Sequence, residues 1–136
     1  MKKEIVISEE NQKLLDKQGW FYDYEEIGSP LANIHTHGLA ENLSHTDIQI
    51  VLNMDDEIIQ MLLQSIIENI KGGYTYYEGR SNKVIEDLEV EFKKFEEDGR
   101  EVLRLIIPDQ EGRFPNEEGC SEPYNKQYVE FGELNG

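Results

Sequence analysis

The clearest periodicity along the chain runs from Ile58 to Ile70. Ile58, Leu62, Ile66 and Ile70 recur at i+4, with Ile59, Leu63 and Ile67 beside them, which makes a broad apolar stripe on a helix. Asn53 precedes it, Asp55, Asp56 and Glu57 load its positive end, and Lys71-Gly72-Gly73 closes it with a cation and a left-handed cap. The pattern predicts a core helix over residues 54–71. Other segments alternate with period two, as half-buried strands do. Residues 20–27 set Trp20, Tyr22 and Tyr24 against Phe21, Asp23 and Glu25, and Gly28-Ser29-Pro30 turns the chain. Residues 31–37 place Ala32, Ile34 and Thr36 on one face and Asn33, His35 and His37 on the other. Residues 47–52 point Ile48, Ile50 and Leu52 together.

Leu88, Val90 and Phe92 alternate with charged residues, and residues 102–107 form a more continuous apolar run ended by Pro108. Glu96-Glu97-Asp98-Gly99 between them is a hairpin turn signal. Ser8-Glu9-Glu10 caps a short surface helix that Gly19 stops, and residues 74–77 read as an aromatic loop or short strand. Together these elements predict a single α+β domain. Its antiparallel sheet of about four to six strands packs on the helix over 54–71 in two layers. Ile48, Ile50, Leu52, Ile59, Leu62, Ile66, Val90, Phe92, Leu103 and Leu105 are the expected core. The body spans about residues 8–107. An ordered, loop-rich extension over 108–127 is anchored by Phe114, Cys120 and Tyr124, and 128–136 is a frayed tail.

Charge narrows the partners. The formal net charge of −16 opposes nucleic acid, whose binding draws on Lys and Arg, and opposes anionic membrane surfaces. It favours a basic protein or a cation, beside the plainer benefit of solubility. The single cysteine, Cys120, excludes an intramolecular disulfide. The Ile5-Val6-Ile7 run is too short for a signal-peptide core, and polar residues interrupt 58–70, so a cytoplasmic protein without membrane spans is expected.

The chain resembles a bacterial family of uncharacterised domains, domain-of-unknown-function family 4262. The resemblance rests on Gly19-Trp20, on Gly38-Leu39, and on His45 and Asp47 leading into Ile48-Gln49-Ile50-Val51-Leu52. It continues through Ile70-Lys71-Gly72-Gly73, Tyr76-Tyr77-Glu78-Gly79 and Val90-Glu91-Phe92, covering roughly residues 11–107. It implies a small α+β fold and carries no activity. It also marks His45 as a family feature, whereas His35 and His37 stand where the family is expected to carry an aromatic and a Ser/Thr-Ile pair.

The three histidines are the one concentration of chemistry. His35 and His37, at i and i+2 on a strand, share a face, and His45 after a short loop could close a set with Asp47 as a carboxylate ligand and Glu41 nearby. The plainer reading leaves His35 and His37 as polar strand residues and His45 capping a turn. Cys120 lies among acidic neighbours, which oppose thiolate formation and favour a passive anchor. Trp20, Tyr22, Tyr24, Tyr76 and Tyr77 are candidates for a ligand or partner surface. No strong catalytic motif stands out, so the leading expectation is a non-enzymatic interaction or regulatory module, of inhibitor or immunity type, for a basic partner. The alternative is a metal-binding protein or metal-dependent hydrolase built on the histidines with a divalent transition metal; no other cofactor is expected.

Overall fold

The computed structural model describes residues 8–28, 30–97 and 99–130. Among these, the chain builds a six-stranded sheet in the order β1-β2-β3-β6-β5-β4. The strands are β1 (Phe21–Gly28), β2 (Leu31–His37), β3 (Asp47–Leu52), β4 (Gly79–Ile85), β5 (Leu88–Glu97) and β6 (Arg100–Ile106). The helices are α1 (Glu9–Gln18), α2 (Leu39–Asn42) and α3 (Asp56–Lys71). The α+β class stands as expected. The sheet is mostly antiparallel, but the pairing at its centre, β3 with β6, is parallel. The reason is the connection. α3 carries the chain back across the sheet before β4, β5 and β6 return, so β6 reaches β3 running the same way.

α3 begins two residues later than its pattern suggested, with Asp55 at the N-cap position. It buries Ile59, Leu62, Leu63, Ile66, Ile67 and Ile70, while Ile58 at the start of the expected line remains 41% exposed. All ten residues expected in the core are buried there. Gly72 keeps a helical-side φ of −79°, and the left-handed residue is Gly73, one position on. α1 is a surface helix with no buried residue, capped by the Ser8 side chain and stopped by left-handed Gly19. β4 is an edge strand absent from the sequence reading. Its burial rests almost wholly on Val84.

The helix-facing row crosses the sheet as Tyr24, Ile34, Ile50, Leu105 and Phe92. The opposite face is covered in part by the C-terminal segment, which adds irregular chain to the two expected layers. Phe114 and Gln127 are buried in it, Tyr128 hydrogen-bonds Glu91, and Val129 accepts from Arg104. The expected fraying falls, from residue 131 onward, outside the described residues. Among those described, no helix is long and apolar enough to cross a membrane.

Candidate metal centre

On the face away from α3, one residue out of step with the apolar row, the register aligns Asp23, His35, Gln49, Arg104 and Lys93. Asp23 lies directly across from His35, and Phe21 across from His37. His37 Nε2 stands 2.9 Å and His35 Nε2 3.7 Å from the same Asp23 oxygen, Oδ2. One donor atom each from Asp23, His35 and His37 therefore falls in a group with all separations within 4.8 Å. Donors held about 2.0–2.1 Å from one ion lie within about 4.2 Å of each other, a limit that both separations from Asp23 already meet. Phe21 stacks on the His37 ring with centroids 5.0 Å apart and fixes its plane.

Behind the cluster, the His35 ring is held from its other nitrogen. Nδ1 lies 3.2 Å from Glu97 Oε2 and 3.2 Å from Asn33 Oδ1. With the proton on Nδ1 donated to these acceptors, Nε2 turns its lone pair toward Asp23. A carboxylate behind a histidine is the arrangement that fixes tautomer and raises basicity in metal ligands. Glu97 is itself held by Asn33 Nδ2 at 2.6 Å and Arg100 Nη2 at 3.2 Å. Burial alone would raise its pKa. The hydrogen bond and charge of His35, with Asn33 and Arg100, outweigh burial and hold Glu97 at about 2. His37 is also shifted down. Burial, then the charges of Arg100 and His35, lower its pKa against the pull of Asp23, which favours the neutral imidazole a metal requires.

His45 and Asp47 do not join this group. Left-handed Gly38 turns the chain out of β2 into α2, and His45 returns buried beside Tyr76. There His45 Nε2 accepts the Tyr76 N–H at 3.0 Å while Nδ1 meets the Thr46 carbonyl at 2.8 Å, so both nitrogens are used. Asp47, also buried, accepts from Thr36 Oγ1 at 2.8 Å and the Leu39 N–H at 3.1 Å, and pairs with Arg100 at 3.2 Å. Both residues hold the α2 turn in place. A shallow groove of about 500 Å³ beside it is lined by residues that include Glu41, Asp47, Arg100 and Glu101.

The expected aromatic surface divides. Trp20 and Tyr76 are core residues, whereas Tyr77 is 75% exposed. Tyr22 and Tyr24 direct their hydroxyls to Asp56 and Asn53, tying β1 to the start of α3. Cys120 donates to the Arg113 carbonyl, and burial with the charges of Asp109 and Glu117 raises its thiol pKa, as suits a passive anchor. The candidate ligand missed from sequence is Asp23. Its place opposite His35 depends on a register irregularity between Glu26 and Gly28, which the sequence pattern does not announce.

No curated protein and no solved structure gives a significant match to this chain. One family does, described as Domain of unknown function (DUF4262), and its match runs over residues 15–121, past the hairpin and into the loops that carry Cys120. The chain belongs to that family.

Proposed function

We propose that the protein is a divalent-transition-metal-binding domain with its centre at Asp23, His35 and His37. One observation carries this reading. A carboxylate oxygen and two imidazole nitrogens on adjacent strands lie within 4.8 Å of one another, with a carboxylate of lowered pKa bracing His35 from behind. Two imidazoles and one carboxylate suit zinc, iron(II), manganese or nickel better than calcium or magnesium. Three protein ligands leave at least one coordination position for water or an external ligand, the condition for metal-assisted chemistry. Elemental analysis of untagged protein should find close to one metal per chain, and zinc, manganese or nickel should raise the melting temperature. Metal well below one per chain with no thermal shift would remove the reading.

A second role draws support from the charge of −16, with Glu41, Asp47 and Glu101 lining one groove. Such a surface speeds encounter with a basic protein, in the manner of an inhibitor or immunity protein, and disfavours nucleic acid. Retention of a basic partner at low salt and its release at high salt would support this role. Failure to retain any partner at low ionic strength would count against it.

A further inference from the structure

The metal cluster is one end of a buried polar path that leads to the C-terminal segment. From His35 Nδ1 the path passes to Asn33 Oδ1 and Glu97 Oε2, each at 3.2 Å. Gln49 Nε2 donates to the same Asn33 oxygen at 3.0 Å, and Arg104 Nε donates to Gln49 Oε1 at 2.7 Å. Arg104 Nη1 then donates to the backbone carbonyls of Gln127, at 2.9 Å, and Val129. Asn33, Gln49, Arg104 and Gln127 are all buried. We propose that metal capture by Asp23, His35 and His37 is coupled to docking of segment 124–130, with Glu97 and Asn33 as positioning residues and Gln49 and Arg104 linking them to the segment.

The proposal rests on the metal-binding reading and adds a regulation of that site. Its physical basis is that the path is continuous, each member bonded to the next from His35 to the segment. If the segment leaves, Arg104 loses two carbonyl acceptors, and a buried guanidinium that loses acceptors shifts toward its remaining partners. The shift moves the donor that fixes the Gln49 amide, and with it the amide that fixes the Asn33 oxygen. That oxygen orients His35. In the other direction, a metal on His35 Nε2 makes Nδ1–H a stronger donor and tightens the same bonds. Coupling further requires that the segment, docked in this structure, also have a released arrangement, which the exchange measurement below reads. Gln127 is its fastening point. Its side chain accepts from the Ile107 N–H at 2.8 Å and donates to the Ile107 carbonyl at 2.6 Å, and Gln127 lies outside the metal ligands and their immediate supports.

Binding linkage is reciprocal, so the segment and the metal must affect each other by the same factor. The test uses the full chain with zinc ion as the probe. Zinc affinity, from competition with a chromophoric chelator, is compared between the unaltered protein and Gln127→Leu, and hydrogen exchange over 124–130 is followed with and without zinc. The expected result is zinc binding weakened about tenfold in the variant, inside the roughly 5–150-fold range of site coupling, with zinc slowing exchange over 124–130 by a similar factor. Equal zinc affinity in the two proteins, or exchange over 124–130 that zinc leaves unchanged, would overturn the coupling while leaving the metal site intact. If the unaltered chain takes up no zinc, the metal reading fails and the coupling fails with it. Should Gln127→Leu not fold, the exchange measurement on the unaltered chain decides alone.

Discussion

Two neighbouring rows cross the same four strands and obey different rules. Ile34, Ile50, Leu105 and Phe92 lie under α3, whereas His35, Gln49, Arg104 and Lys93, one residue on in β2 and β5 and one residue back in β3 and β6, lie on the other face. The first row is held by area removed from water and tolerates any side chain of suitable shape. The second is held by matching of donors and acceptors, and among the described residues no buried side-chain polar atom lacks a partner. A strand cannot slip by one residue without exchanging these rows, so each face enforces the register of the other.

The largest expected effect belongs to the apolar row. Phe92→Ala should cost about 3–5 kcal/mol, measured as a shift in the urea midpoint at unchanged slope, because the cavity opens beneath α3. A loss below about 1 kcal/mol would mean that the helix face is not the main source of stability.

The polar row should reveal itself in acid. Glu97 is held at about 2 in the folded chain, against an ordinary 4.5, so the unfolded state binds the proton more readily. The resulting stability is fully present above pH about 4.5 and is lost as pH falls toward 2. The loss should be on the order of 2–3 kcal/mol, and Glu97→Gln should flatten that part of the stability–pH profile. His37, lowered below its ordinary 6.5, contributes with the same sign in a higher window, since it must take up a proton as pH falls below that value.

A smaller effect separates the histidines. His45→Ala leaves the buried Tyr76 N–H without its acceptor and should cost about 1–3 kcal/mol while zinc affinity is unchanged. His37→Ala should do the opposite, with stability close to that of the unaltered chain and zinc binding lost in calorimetric titration. If the two variants behave alike, the division between structural and ligating histidines is wrong. The smallest effect is expected at Tyr77, 75% exposed and outside both rows, where Tyr77→Ser should change stability by no more than about 0.5 kcal/mol.

These differences follow how much each region shows in sequence. α3 was legible because seven Leu and Ile residues repeat at helical spacing, and the β5–β6 hairpin because alternation is punctuated by Asp98-Gly99. β4 was not, since an edge strand with one buried side chain has no apolar alternation to detect. The parallel β3–β6 pairing was hidden for another reason. It joins Asp47 to Val102, and no local pattern records a contact of that separation. At the candidate site, His35 and His37 were visible as a period-two pair. His45 misled because nearness in sequence suggested convergence, while Gly38 turns the chain away. The support from Glu97, Gln49 and Arg104 depends on strand order, which the chain does not display locally.

The central parallel seam also sets an order of events. Asp23, His35 and His37 all belong to the β1–β2 hairpin, whose ends are close in sequence and which needs only a short loop closure to form. Glu97 and Arg104 belong to a second local hairpin, and the two halves meet only when β3 finds β6. Contacts of long sequence separation form late because the chain between them must first be confined. The donor atoms are thus assembled early and their buried supports last. Under the proposed metal-binding reading, an ion present while the chain is folding would meet Asp23, His35 and His37 before the far half of the sheet has arrived to hold them.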